Sequence, residues 1–146
     1  MTWAQCTLRH WLKDKFLDSL GDPLVSQIVQ LKVPNGPNPI WGTHGGQDTW
    51  NRVFLLSMKE AAWLVAGRRN VPWKEYEETR RSFTTPELVA RNEAGAPAWW
   101  WLRSPGFGAD FAANVSASGD LQGSGGRVTA ASGGVRPAFW LAIPER

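Results

Sequence analysis

Hydrophobic residues near the start of the chain recur at steps of three and four, the spacing of one helix face. In LRHWLKDKFLDSLG the charged residues take the other positions, which predicts an amphipathic helix over residues 8–20. Thr7 suits the N-cap of this helix, and Gly21 suits the position just beyond its end. The chain is therefore expected to open with a helix that packs on the core through one face.

The pattern then changes to short apolar runs. QIVQLKV (27–33) and NRVFLLS (51–57) are rich in apolar and β-branched residues and are predicted strands. Between them, residues 34–49 hold too much Pro, Gly and Asn for regular structure, which predicts a long loop. Two strands joined by an unusually long loop are expected here.

Helix start signals follow in two places. Ser57 and Glu60 have the spacing of a capping box, so a second helix is predicted over MKEAAWLVA, ending at Gly67. Thr85 followed by Pro86 has the sequence of an N-cap and first helical residue, which predicts a further short helix in TTPELVARN.

The last third of the chain reads as strands. WWWLRS (99–104) and VRPAFWLAI (135–143) are aromatic-rich, and AANVS, DLQ and RVT between them are shorter strand candidates separated by glycine. Helices come early and strands late, with no internal repeat. This order predicts an α+β protein with one domain over residues 1–146.

The segment between the two aromatic blocks has the opposite composition. Residues 107–133 contain six Gly, six Ala and four Ser, and no Trp, Met, Lys or Glu. Flexible linkers have such a composition. A linker, however, does not need a tryptophan-rich block on each side, so the segment requires another explanation.

Overall composition narrows the function classes. The chain has 42% hydrophobic and 20% charged residues, and its net charge of +3 comes from 16 basic and 13 acidic residues that are interleaved. Nucleic-acid binding normally requires a clustered basic stripe, so it is not expected. No apolar run has the length of a membrane span and no signal peptide is recognisable, so a soluble chain without membrane insertion is expected.

Few residues are candidates for catalysis or metal binding. His10 and His44 lack neighbouring ligands, and Cys6 is the only cysteine, so neither a disulfide nor a cysteine-based metal site is expected. LQGSGGRV has the glycines of a phosphate-binding loop but not its Lys-Ser/Thr ending. Ser104 lacks the sequence context of a nucleophile elbow. No catalytic residue, metal or cofactor is therefore predicted.

Arg103 and Arg136 lie inside the predicted aromatic strands, where a charge needs partners. They are interpreted either as a guanidinium pair that lines a ligand pocket or as structural residues stacked on tryptophan and bonded to loop carbonyls. The structural role is favoured. We also expect the scaffold tryptophans Trp99, Trp101 and Trp140 to be largely buried, together with Arg136.

Five segments carry a resemblance to a known family: TWAQCTLRHWLKDKF, RVFLLSMKEA, WWWLRSPG, AANVSASG and GVRPAFWL. In this order they resemble DUF6273, a bacterial and phage domain family of unknown function. The resemblance implies a C-type-lectin-like fold with two early helices, a twisted antiparallel sheet and a long, loop-rich C-terminal half. It also implies kinship with the variable proteins of diversity-generating retroelements, in which an error-prone reverse transcriptase randomises template adenines.

That mechanism accounts for the composition of residues 107–133. Changing the adenines of AAC-type codons yields Gly, Ala, Ser, Thr, Asp, Arg, Phe or Tyr, but never Lys, Glu, Met, Trp or Gln. The segment lacks the first four of the excluded types, and Gln122 is the exception. The resemblance therefore implies a non-enzymatic ligand-binding scaffold with residues 107–133 as its variable region.

The predicted variable side chains are expected to converge on one face, with Val115 pointing inward and Ser116 outward. Phe107 and Phe111 are the expected energetic anchors. The predicted ligand-binding residues are Phe107, Gly108, Ala109, Asp110, Phe111, Ser116, Ala117, Ser118, Asp120, Ser124, Arg127, Thr129, Ala130 and Ala131. The predicted framework residues are Ala112, Ala113, Val115, Leu121, Val128, Gly134 and Val135.

The ligand implied by the resemblance is a protein or a glycan, and homo-oligomerisation stays open. Members of the family carry a strand before the TW motif, so the predicted strand 135–143 is expected to have an edge that is filled by Met1–Ala4, by a neighbouring subunit or by nothing. Two rival functions remain: a structural or assembly domain of a bacterial or phage surface protein, and an enzyme of the formylglycine-generating type. The enzyme is disfavoured because its copper-binding cysteine pair cannot form from Cys6 alone.

Overall fold

The structure of the protein is a computed structural model that describes residues 1–78 and 85–143. Helical segments dominate its first half. In chain order they are a 3-10 turn (Trp3–Gln5), α1 (Thr7–Trp11), a π-helical stretch (Leu12–Phe16), α2 (Leu17–Ser19), α3 (Leu24–Gln27), α4 (Met58–Glu60), a second π-helical stretch (Ala61–Val65), α5 (Trp73–Glu78) and a 3-10 turn (Pro86–Leu88).

The first predicted helix is confirmed. α1, the π-helical stretch and α2 run on without a break, and they bury Leu12 and Leu17. Gly21 follows with a φ of +66°, a value that glycine adopts without steric cost. The predicted N-cap is wrong by one residue, because Cys6 has the extended backbone of a cap and Thr7 is already helical.

The second helix also matches its prediction. The Ser57 hydroxyl accepts a hydrogen bond from the Glu60 amide at 3.1 Å, and the Glu60 carboxylate accepts one from the Ser57 amide at 3.0 Å. This capping box starts α4, and Gly67 follows the helical region with a φ of +69°. The short helix after Thr85 is the 3-10 turn Pro86–Leu88, with Pro86 at its first position.

Seven strands are described, mostly in the second half of the chain. They are β1 (Leu31–Val33), β2 (Thr49–Asn51), β3 (Ala90–Arg91), β4 (Pro97–Ala98), β5 (Trp100–Pro105), β6 (Phe111–Val115) and β7 (Leu121–Arg127). They form the antiparallel sheets β1–β2, β3–β4 and β5–β6–β7. The fold is mixed helix and sheet, consistent with the predicted α+β class, but its strands form three small sheets rather than one.

Two early strand predictions are only partly correct. In the predicted strand 27–33, residue 27 is instead the last residue of α3, and the Ile28 amide closes a turn on the carbonyl of Val25 at 3.2 Å. In the predicted strand 51–57, the segment after β2 is not a continuous strand. Residues 53–56 are all buried, so this segment crosses the core without the alternation that a half-exposed strand would show.

The predicted strand 135–143 is wrong as a continuous strand. It makes isolated antiparallel bridges, Ala138 with Phe54 and Leu141 with Ile28. Pro137 lies within it and has no amide to donate to a ladder. Met1–Ala4 does not pair with this segment, since the amino group of Met1 donates instead to the carbonyl of Ala109.

The core lies between the helices and the inner face of the β5–β6–β7 sheet. Trp100 is 1% exposed, and its indole donates to the carbonyl of Leu88 at 2.9 Å. Trp99 and Trp101 point the other way, because side chains alternate along a strand, and their rings pack edge to face at 4.7 Å. The expectation that Trp99, Trp101, Trp140 and Arg136 are largely buried is wrong: Trp140 is 48% exposed, and the other three are only half-buried.

Candidate functional site

None of the fourteen predicted ligand-binding residues is buried. Exposed members are Phe107, Ala109, Asp110, Ala117, Ser118, Arg127, Thr129, Ala130 and Ala131. Intermediate members are Gly108, Phe111, Ser116, Asp120 and Ser124. Ala113 and Val115 of the predicted framework are fully buried, so Val115 points inward and its neighbour Ser116 outward as expected, whereas the framework residue Val135 is exposed.

The fourteen residues do not all meet on one patch. They divide between the two ends of β6, which lie roughly 13 Å apart at the usual rise per residue of a strand. Residues 107–111, 124, 127 and 129–131 belong to the end where β5 turns into β6. Residues 116–118 and 120 belong to the opposite end, in the turn between β6 and β7.

At the first end, four side chains form what we call the aromatic surface: Trp41, Phe107, Phe111 and Arg127. Phe107 is 57% exposed and Trp41 is 41% exposed, and their rings meet edge to face with centroids 4.9 Å apart. Phe107 also meets Phe111 edge to face at 6.5 Å. The Arg127 guanidinium lies 5.2 Å from the centre of the Phe111 ring. These contacts join three aromatic rings and one cation into a continuous surface.

The backbone beneath the aromatic surface is held by hydrogen bonds. The Phe107 amide donates to the carbonyl of Ser124 at 2.9 Å, and the Gly106 amide donates to the carbonyl of Phe111 at 2.8 Å. The Thr43 hydroxyl donates to the carbonyl of Gly106 at 2.7 Å. The turn that carries Phe107 is thus fixed to β6, to β7 and to the 34–48 loop.

Asn38 connects the loop that carries Trp41 to the sheet. Its side-chain oxygen accepts from the amides of Ile40 at 2.8 Å and Trp41 at 2.9 Å. Its side-chain nitrogen donates to the carbonyls of Pro105 at 2.8 Å and Gly123 at 2.9 Å. Asn38 is almost fully buried, so a single amide group fixes the loop against β5 and β7.

The opposite end of β6 is different in kind. We call residues 116–120 the serine turn. The Ser116 hydroxyl lies 3.0 Å from the Ser118 hydroxyl and accepts from the Asp120 amide at 3.1 Å, while the Ser118 hydroxyl donates to the Asp120 carboxylate at 3.4 Å. The hydroxyls of Ser116 and Ser118 therefore both form hydrogen bonds within the turn.

The glycines of the 107–133 segment are mostly required by packing. Gly125 has a φ of +71°, and a Cβ atom there would lie 1.8 Å from the carbonyl oxygen of Ala112. A Cβ at Gly133 would lie 2.3 Å from the indole nitrogen of Trp101. Gly108, a predicted ligand-binding residue, has open space around it. The segment is built into the domain, which argues against a flexible linker.

Arg103 is a structural residue. Its buried guanidinium pairs with the Glu60 carboxylate and donates to the carbonyls of Leu55 and Pro34, each at 2.8 Å. Arg136 lies 5.0 Å from the centre of the Trp100 ring and donates to the carbonyl of Glu87 at 3.5 Å. The two arginines do not form a pocket-lining pair, in line with the favoured structural interpretation.

The family assignment follows from comparison with known proteins. Residues 1–143 match a family described as "Domain of unknown function (DUF6273)". The chain belongs to the DUF6273 family. No curated protein and no solved structure matches it.

Other chemistry in this DUF6273 domain is sparse. Within residues 1–78 and 85–143, no group of three or more His, Cys, Asp or Glu side chains is placed to hold a metal ion. No helix in that part of the chain has the length and apolar character needed to cross a membrane. LQGSGGR is β7 itself rather than a loop before a helix, so the segment does not have the structure of a phosphate-binding loop.

A cavity of about 170 Å³ lies between the N-terminal segment and the sheet. Trp3, Cys6, Leu55, Trp101 and Ala112 are among the residues that line it. Its polar neighbours Arg103 and Ser104 already have hydrogen-bond partners, the Ser104 hydroxyl accepting from the Met58 amide at 2.9 Å. These two polar groups are therefore engaged within the fold.

Sequence reasoning missed Trp41, Asn38 and Thr43. All three lie in the loop over residues 34–49, which was predicted as a loop and assigned no role. A signal was available in the case of Trp41, because a tryptophan among Pro, Gly and Asn residues has no regular core position to fill. Asn38 gave no such signal, since its partners lie 67 and 85 residues away in the chain.

Proposed function

We propose that this DUF6273 domain is a non-enzymatic ligand-binding scaffold whose binding site is the aromatic surface together with the surrounding predicted variable residues. The observation that carries the proposal is the continuous set of contacts from Trp41 through Phe107 and Phe111 to Arg127. Exposed aromatic and arginine side chains are the types that dominate binding energy at interfaces.

We further propose that a diversity-generating retroelement varies this surface. The support is a division of labour within residues 107–133. Predicted variable side chains lie at the surface, whereas the glycines at 119, 123, 125 and 133 are closely surrounded by neighbouring atoms. Substitutions at the exposed positions should therefore change the ligand without disturbing the fold.

The proposal includes a C-type-lectin-like fold. It is supported by the family resemblance, by the early helices α1–α2 and α4, and by the late antiparallel sheet β5–β6–β7 with long loops around it. Fold does not determine function, and no sugar-binding motif accompanies the resemblance. The proposed ligand is argued from the aromatic surface alone.

Selection from a displayed library tests the binding function. The library would randomise Gly108, Ala109, Asp110, Ser124, Thr129 and Ala130 and would keep every other residue, including the four of the aromatic surface. Folded members that bind an immobilised probe protein are expected to emerge, with binding that depends on the randomised residues. A library that stays folded but yields no binder against any of several probe proteins would contradict the proposal.

An assembly function is the second candidate, because one surface favours it. Trp140, Leu141 and Ile143 are all exposed large hydrophobic residues close together in the C-terminal segment. Light scattering after size-exclusion chromatography would test it, comparing the native protein with the Leu141→Asp variant. A native oligomer that the substitution dissociates would favour assembly, and a native monomer would remove this candidate.

A further inference from the structure

We propose that ligand recognition is shared between a constant residue, Trp41, and the variable residues, and that the ligand is a protein presenting an apolar side chain beside a carboxylate. This inference rests on the proposed function. It adds Trp41, which lies outside the 107–133 segment, to the binding site, and it states which chemical groups the ligand presents.

The position of Trp41 supports the claim that a constant residue takes part in ligand recognition. Its indole is 41% exposed and contacts Phe107, yet it belongs to the 34–48 loop and not to the segment proposed to vary. Every ligand that covers Phe107 must therefore also approach Trp41. The aromatic surface thus combines one fixed ring with residues that change.

The loop holds Trp41 in place before any ligand arrives. The Trp41 amide is bonded to the buried Asn38 side chain, and the Asn38 amide donates to the carbonyl of Thr43 at 2.9 Å. The Gly42 amide donates back to the carbonyl of Asn38 at 2.9 Å. A preorganised aromatic side chain loses little conformational entropy on binding, which favours its use as an anchor.

The charge of the site supports the claim that the ligand presents a carboxylate. Among the residues that the structure describes, the one ion pair joins Arg103 to Glu60, so Arg127 has no carboxylate partner there. Arg127 is exposed and its guanidinium lies against the Phe111 ring. A carboxylate on the ligand would bond to this guanidinium while an apolar neighbour packs on Trp41 and Phe107.

A protein suits this surface better than a glycan does. The three rings meet edge to face, which leaves a relief of edges and gaps into which side chains fit. Hot spots in protein interfaces are enriched in tryptophan and arginine, and this surface exposes one of each, Trp41 and Arg127. Binding to a glycan is therefore an alternative outcome of the test.

The experiment uses the library described above, with Trp41, Phe111 and Arg127 retained and a ferredoxin, which is acidic, as the probe protein. Trp41→Ala is then introduced into several independent binders. Because truncating a hot spot costs about 2 kcal/mol or more, each Kd should rise about 30-fold. Arg127→Ala should raise the Kd about tenfold or more, since a hydrogen-bonded charge pair is lost.

Trp63→Ala is the matched control. Trp63 is 44% exposed, and its ring contacts Arg69 rather than the aromatic surface. Its substitution should leave each Kd unchanged, and Trp41→Phe should give an intermediate loss. Melting curves establish that all variants are folded.

The outcomes separate the two proposals. Binders that tolerate Trp41→Ala would overturn this inference and leave the proposed function standing. A parallel selection uses lysozyme, a basic protein, as the probe. Equal yields of binders to ferredoxin and to lysozyme, or an unchanged Kd in Arg127→Ala, would overturn the claim that the ligand presents a carboxylate. Native protein that binds an oligosaccharide array in a Trp41-dependent way would overturn the choice of a protein ligand.

Discussion

The two ends of β6 carry different kinds of side chain, although both lie in the segment 107–133, which is rich in glycine, alanine and serine. At one end, Phe107, Phe111 and Arg127 present rings and a cation to solvent beside Trp41. At the other end, the hydroxyls of Ser116 and Ser118 bond within their own turn. Surface exposure is common to both ends, but the first also presents large side chains with free interaction surface. The binding site that we propose therefore lies at the first end alone.

The largest change in stability is expected from substitution of an enclosed glycine. Gly125→Ala should destabilise the protein by about 3 kcal/mol or more, since the new Cβ would overlap the carbonyl of Ala112 at a positive φ. Gly108→Ala should change stability by less than about 0.5 kcal/mol, because its surroundings are open. Thermal or urea unfolding of both variants measures the difference. Equal effects would mean that the segment is uniformly compliant.

The next largest effect is expected at the support of the aromatic surface. Asn38→Ala removes the partners of the buried carbonyls of Pro105 and Gly123 and of the Trp41 amide. Buried polar groups without partners should reduce stability by about 3 kcal/mol. Urea unfolding measures the loss, with Asn70→Ala, at an exposed asparagine, as the control. A loss as small as that of the control would show that the loop is held by other contacts.

A smaller difference is expected between single surface residues at the two ends. Ser116→Ala removes the acceptor of the Asp120 amide and should cost about 1 kcal/mol. Thr129→Ala should stay within about 0.5 kcal/mol, as at ordinary exposed sites. Urea unfolding of the two variants measures both changes in the free energy of unfolding. If Ser116 proved as tolerant as Thr129, the serine turn would regain its place among the freely variable positions.

The smallest effect concerns pH near the serine turn. A hydrogen bond from the Thr85 hydroxyl lowers the pKa of the exposed Glu87 carboxyl below its ordinary value, and the Thr85 amide donates to the carbonyl of Gly119 at 3.3 Å. A lowered folded pKa means a stabilising contribution that is present above the ordinary pKa of Glu87. It is lost as the pH falls through the lowered one. Thr85→Val should return the pKa of Glu87 toward its ordinary value.

Carboxyl NMR titration measures this pKa in the native protein and in the variant. The aromatic surface should be unaffected, so the Arg127 and Phe107 signals serve as an internal control. An unchanged Glu87 pKa in Thr85→Val would contradict the assigned cause.

Local features were predictable from the sequence. The amphipathic helix, the Ser57–Glu60 capping box and the opposite orientations of Val115 and Ser116 depend on neighbours in the chain, and the structure confirms them. The exposure of Phe107 and Arg127 also followed from their segment. These features share a short range, over which periodicity and capping chemistry act.

The failures depend on distant contacts. The C-terminal segment has the composition of a strand, but it meets Phe54 and Ile28 only at isolated bridges. The position of Trp41 is set by Asn38, whose partners lie on β5 and β7. One of the four side chains of the aromatic surface, Trp41, therefore could not be placed from local pattern, because tertiary packing brings the 34–48 loop to residues 107–127.

Sequencing many copies of the gene together with its flanking DNA tests the central claim most directly. We expect a nearby near-identical repeat, with differences confined to adenines and falling in codons of the aromatic-surface end, including 107–111, 124, 127 and 129–131. The codons of Trp41, Gly125 and Gly133 should be invariant, because one ring is fixed and both glycines are enclosed. The absence of any repeat, or variation concentrated at the enclosed glycines, would contradict a diversified binding surface.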